Sequence, residues 1–323
     1  MGIYMDTTHK GQVVLKGVKN FNLDHIANSG QCFRWRKIEQ NGLKHGEMGY
    51  LIPAHSSLLR VEQKDDKLWL WCTEEDFYKY WLDYFDLDTD YSRFIKAVQG
   101  DSFLEKAAEY SSGIRILRQE PFEIIISFML SSANNIPRIK SLVEKLCESY
   151  GTKFVSFKNS DESWYNFPAL SQLQKVKLDD LKALGMGFRA DNIYKFITDL
   201  NISPDTYEEY ERLYSLNYIL NHPHLTDKET ERLHELLTTV KGIGDKIASC
   251  IELFAFHQLD AFPIDVWIDR ILFTEYGGDI HPHPERKKTK YREMILDKHF
   301  SKYTGFRGVI QQYMYYYYRE TKA

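Results

Sequence analysis

The residues with the most chemical potential lie in one stretch, Val240-Lys241-Gly242-Ile243-Gly244-Asp245-Lys246, with Cys250 just beyond it and Pro263-Ile264-Asp265-Val266 further on. The stretch reads as a helix, a tight glycine hairpin and a second helix. Glycines let the backbone adopt φ > 0 and let its N–H groups come close to a ligand, and such a turn at a helix N-terminus suits a phosphate. Lys246 falls in the first turn of the second helix, with Cys250 one turn on and on the same face. A lysine is a nucleophile only when neutral, so its pKa of about 10.4 must be lowered, by desolvation or by positive potential. A solvated lysine is the alternative. For Asp265, ahead of an apolar helix, N-cap is the plain structural role. The two residues together form a pattern rarer than either part.

The elements that must position these groups divide the chain. From Gln12 to Cys72, short apolar or alternating runs predict strands: Val13–Leu15, Cys32–Arg36, Tyr50–Ile52, Ser57–Val61 and Lys67–Trp71. Turn signals such as Asn41-Gly42 and Lys64-Asp65-Asp66 separate them. Glu74 to Leu87 and Tyr91 to Val98 then have helical spacing. Glu123 to Ser131 is apolar nearly all round, which predicts a helix in the middle of the fold. Ile136 to Tyr150 is amphipathic, with Gly151 at the place of a helix-ending glycine. Asp179 to Leu184 reads as a short helix before a glycine turn, with another helix running on to about Leu200. Ser203 to His224 is expected to be an insertion or long connection. Thr226 and Glu229 have capping-box spacing and start the helix that leads into the hairpin.

The 323 residues are 43% hydrophobic and 15% aromatic, enough for a large core. Neither a spanning helix nor a signal-peptide core is visible, so an intracellular protein is expected. Cys32, Cys72, Cys147 and Cys250 are far apart, which argues for reduced thiols rather than metal ligation or a disulfide framework. A formal charge of -4 speaks against an overall basic footprint. Yet residues 281–323 carry ten Lys/Arg against four Asp/Glu, and a local basic face is sufficient to hold phosphates. His281 and His283, alternating with prolines, read as a solvated loop rather than a metal site.

Four motifs in order resemble the 8-oxoguanine DNA glycosylase family of the helix-hairpin-helix DNA glycosylase superfamily. They are Ser-Gly-Gln-x-Phe-Arg-Trp at Ser29 to Trp35, Ser-Ser-x-Asn-Asn-Ile-x-Arg at Ser131 to Arg138, Leu-Gly-x-Gly-aromatic-Arg at Leu184 to Arg189, and the hairpin with Lys246 and Asp265. The resemblance implies a bifunctional base excision repair enzyme that flips 8-oxoguanine out of duplex DNA. Lys246 would attack C1′ to form a Schiff base, Asp265 would support the charge developing on the sugar, and β-elimination would cut the strand. It also implies that the Gly30 carbonyl accepts from N7–H of the lesion, with Gln311 on the Watson–Crick edge and Cys250 and Tyr315 on the ring faces. Arg138 and Arg189 would meet the estranged cytosine, Phe188 would wedge into the stack, and Lys241, Gly242 and Gly244 would hold the backbone, with a structural monovalent cation at the hairpin. No metal and no other cofactor is implied.

Three departures stand out. Ala133 occupies the place of a gap-filling asparagine, with Asn134 beside it. Trp267 stands where relatives have a phosphate-binding histidine, and the 203–224 region is longer than a minimal link. The close-spaced cysteines of the iron–sulfur branch are absent. The expected architecture is α+β, with an N-terminal antiparallel sheet domain (1–118), a helical subdomain (119–225) and the hairpin region with C-terminal helices (226–323). It is expected to work as a monomer on double-stranded DNA, in a bacterial cytoplasm or a nucleus. A catalytically silent DNA-binding protein and a glycosylase for alkylated bases are the alternatives; Lys246 disfavours both.

Overall fold

The computed structural model describes residues 4–6, 11–155, 163–201, 206–279 and 288–322; His281 and His283 lie outside them. The α+β expectation holds. Six antiparallel strands, β1 (Tyr4–Asp6), β2 (Val13–Lys16), β3 (Arg36–Lys37), β4 (Met48–Ala54), β5 (Ser57–Lys64) and β6 (Lys67–Trp71), pair in the order β1-β2-β6-β5-β4-β3. Alternation decides which face is covered: Leu59 and Val61 of β5 and Leu68 and Leu70 of β6 are at most 1% exposed, with Val61 opposite Leu70. This inner face packs on Leu23, Ile26, Phe77, Trp81 and Phe85. The β4–β5 hairpin turns through His55 and Ser56, both at positive φ, the two-residue geometry that matches strand twist.

The segment Cys32–Trp35 is not a strand, and only Arg36 and Lys37 join the sheet. Its neighbourhood is held by glutamine side chains instead. The Gln31 amide donates to Arg115 O and accepts from Leu117 N, both at 2.8 Å, and Gln119 Nε2 donates to Gln31 O. Consecutive burial of Cys32, Phe33, Arg34 and Trp35 reflects a segment covered on both sides.

The helical body forms a second, larger core. Helix Pro121–Ser131 runs through it with Ile124 to Leu130 at 3% exposure or less, which explains why its sequence is apolar all round. It packs against helix Asp245–Ala255, with Phe128 stacked on Phe254 at 5.5 Å. The C-terminal helix Arg307–Lys322 packs on helix Ser102–Ser111, where Ser111 Oγ donates to Tyr313 O. A two-stranded ribbon, β7 (Lys153–Val155) with β8 (Ser163–Tyr165), follows helix Ile136–Tyr150.

One further expectation is corrected, and another holds for a different reason. Within 203–224, residues Tyr207–Asn221 form a helix rather than a loose connection, capped by Thr206 Oγ1 accepting from Glu209 N at 3.1 Å. Leu213, Leu216 and Ile219 supply its buried face. Gly151 is not a left-handed helix terminator, because its φ is −74°. A Cβ there would stand 2.1 Å from Asn166 O, so close backbone approach is what requires glycine. Among the described residues, no helix is long and apolar enough to cross a membrane.

Candidate active site

The hairpin joins helices Asp227–Thr238 and Asp245–Ala255. Thr226 and Glu229 cap the first reciprocally, as expected. The two glycines do different work. Gly242 is left-handed at φ +93°, and a Cβ there would meet Asn192 Nδ2 at 2.5 Å. Gly244 is the extended N-cap, with nothing within 4 Å of a Cβ. Open space faces the backbone at the point where the helix N–H groups are without intrahelical partners.

Lys246, at the second position of that helix, is partly buried, with its amine 5.7 Å from the Phe128 ring centroid. Cys250 and Phe254 continue the same face at 4% and 2% exposure. Asp265 caps helix Val266–Glu275, its Oδ1 accepting from Trp267 N at 3.0 Å and Ile268 N at 2.9 Å. The cap role and a place in the cavity coexist, since Asp265 lines one cavity of about 60 Å³ with Lys246, Cys250, Gly30, Gln311 and Tyr315. All six residues expected to touch the base or sugar therefore converge, from the two ends and the middle of the chain. At roughly 10–15 Å³ per water, the space holds a few waters.

Gly30 is left-handed at φ +82°, and a Cβ there would lie 3.6 Å from Tyr315 Cε1. The Tyr315 hydroxyl accepts from Arg319 Nη1 at 3.3 Å. Gln311 Nε2 donates to Pro263 O at 3.1 Å. Five lining residues were not anticipated: Ser29, Phe128, Phe254, Pro263 and Gln312. Phe254 was legible, being two turns beyond Lys246 on the same stripe, and Gln312 stood out as a second amide in a tyrosine-rich helix.

The electrostatics correct one expectation. Burial pulls the Lys246 pKa down and is the largest single influence, but Cys250 and Asp265 together outweigh it and leave the amine above its ordinary value. Burial raises the Cys250 thiol, opposed by Lys246.

The residues expected on the opposite strand lie around two turns. Phe188 is 57% exposed at the start of helix Arg189–Asp199. Arg138 is exposed and donates to Gly185 O at 3.3 Å. Arg189 is only 6% exposed; its Nε donates to Ser132 O at 2.7 Å and its Nη2 to Ala133 O at 2.7 Å. Asn134 Nδ2 is held by Leu130 O at 3.0 Å. Ala133 has φ +47°, a conformation in which asparagine is far more at home than alanine. Trp267 packs its indole 6.3 Å from the Tyr318 ring, under Arg270, and Lys241 is exposed in the hairpin.

An antiparallel sheet beside a helical body, with a lysine on the second hairpin helix facing an N-cap aspartate across a cavity, is the architecture of helix-hairpin-helix glycosylases. The profile of the 8-oxoguanine DNA glycosylase N-terminal domain matches residues 13–125. The N-glycosylase/DNA lyase of Saccharomyces cerevisiae is 28% identical over 85% of this chain and 74% of its own length. The apo 8-oxoguanine glycosylase/lyase of Clostridium acetobutylicum superposes with TM-score 0.79 at 31% identity, covering 98% of this chain and all of that one. MBOgg1 in complex with a low-affinity DNA ligand gives 0.82 at 30%, with both chains covered completely. The chain belongs to the 8-oxoguanine DNA glycosylase family.

Proposed function

We infer that the chain is a bifunctional DNA repair enzyme that excises 8-oxoguanine from duplex DNA and then cuts the strand. The observation that carries this reading is the convergence of Lys246, Asp265, Cys250 and Gly30 on one cavity, in a chain of this family. The lesion nucleotide leaves the stack and enters the cavity. Neutral Lys246 Nζ bonds to C1′ as the glycosidic bond breaks, and the base leaves with the electron pair and is protonated. The Asp265 carboxylate stands beside the cationic sugar and supports it. Ring opening gives a Schiff base, whose loss of a C2′ proton expels the 3′ phosphate.

On the same reading, Gly30 accepts from N7–H and Gln311 meets the Watson–Crick edge, with Tyr315 and Cys250 on the ring faces. Lys241, Gly242, Gly244 and Trp267 hold phosphates, and Arg138, Phe188, Asn134 and Arg189 border the vacated stack. A monovalent cation on the hairpin carbonyls would brace the anchor, seen as a potassium-dependent melting temperature. The divisions near residues 118 and 225, a monomeric state and a compartment shared with DNA complete the proposal.

Borohydride added during reaction with an 8-oxoguanine duplex traps a covalent complex in the parent protein. Lys246→Gln yields none. Trapping at parental efficiency by that variant would rule out the mechanism.

A further inference from the structure

Gln311 and Gln312 are adjacent on the C-terminal helix and are 3% and 4% exposed. Their amides form a directed relay. Gln312 Nε2 donates to Gln311 Oε1 at 2.8 Å, and Gln311 Nε2 donates to Pro263 O at 3.1 Å. Amide orientations are assigned from such networks, and here the last member fixes all of them, because a carbonyl only accepts. Turning Gln311 over would set its oxygen against Pro263 O, and turning Gln312 over would set two amide oxygens together.

The relay leaves one atom over. Gln312 Oε1 is buried and has no hydrogen-bond partner, on a residue lining the same cavity as Lys246 and Asp265. Orphaned buried acceptors are uncommon in folded proteins, and one at a binding cavity calls for a donor that arrives with the ligand. We propose that Gln312 is a specificity-determining residue, its Oε1 accepting a hydrogen bond from the exocyclic 2-amino group of the flipped purine. Guanine-type bases carry that donor and adenine-type bases do not. The role rests on the glycosylase reading above and adds to it a second side chain that reads the base edge. The cavity is sized for a few waters, so the proposal requires it to widen as the base enters for Gln312 Oε1 to meet the ligand.

Single-turnover base release is compared for the parent and Gln312→Met, which keeps side-chain length but offers no amide acceptor. The duplexes carry 8-oxoguanine or 8-oxohypoxanthine, which lacks the 2-amino group, opposite cytosine. The Met variant loses about ten-fold or more on 8-oxoguanine and less than about two-fold on 8-oxohypoxanthine, as expected for a buried hydrogen bond made to one substrate only. Equal losses on both would mean that Gln312 merely orients Gln311, and no loss would mean that it does neither; each overturns the proposal. If the parent releases neither base, the glycosylase reading fails and this role falls with it. Gln312→Ala gives the same comparison should the Met variant melt early.

Discussion

On the proposed mechanism, Lys246 enters the reaction with its proton on. Cys250 and the Asp265 carboxylate hold the amine above its ordinary value against the pull of burial, so on that mechanism the amine must lose a proton before it attacks. The fraction of free enzyme with a neutral amine grows about tenfold per pH unit below the lysine pKa. The kcat/KM for 8-oxoguanine release is therefore expected to climb through neutral pH and to keep climbing into the alkaline range. A pH profile that levels off below neutrality would show that the amine is already neutral in the free protein. The proposed catalytic pair was legible because lysine and aspartate at those spacings have few joint uses. The sign of the lysine shift was not, because it depends on how close Cys250 and Asp265 lie in three dimensions.

At the scale of elements, legibility followed the source of each element's hydrogen bonds. Helix Ile136–Tyr150 matches its expected limits because one periodic stripe, Ile139, Leu142, Val143 and Leu146, determines it alone. Cys32–Trp35 misled because its apolar run is covered by two cores rather than laid in a ladder. Helix Tyr207–Asn221 was hidden by its Asn and Tyr content, although Thr206 and Glu209 carried a start signal. Gly151 was placed correctly at a helix end, but for a reason that only the neighbouring chain reveals. Gly151→Ala puts a methyl into the Asn166 carbonyl, and a loss of about 1–3 kcal/mol is expected from such overpacking. Urea denaturation at neutral pH measures it; an unchanged midpoint would show that the β7–β8 ribbon gives way freely.

At the scale of the molecule, the sheet and helical cores are tied by buried polar groups. Asp86 receives Tyr91 Oη at 2.9 Å and Thr89 Oγ1 at 2.8 Å, and its Oδ2 lies 3.2 Å from His257 Nε2, two residues past the end of the Lys246 helix. Burial raises the Asp86 pKa, but the close contact with His257, the Thr89 hydrogen bond and the Arg118 charge outweigh it, so the folded value is lowered. Its contribution is full above the ordinary carboxylate range and is lost as pH falls through the lowered value. Asp86→Asn is expected to cost about 3–5 kcal/mol at neutral pH, as for one partner removed from a buried pair. It should also flatten the acid limb of stability against pH. Melts of both proteins across acid pH test this, and parallel limbs would refute it.

Arg189 has a mechanical consequence. By gripping the carbonyls of Ser132 and Ala133 from the helix that Phe188 begins, it turns two separate loops into one stiff jaw. On the glycosylase reading, a duplex bent over that jaw cannot share the distortion with the protein at this point. The work of opening the stack falls on the DNA, whose step-by-step stiffness then tunes how readily each lesion is presented.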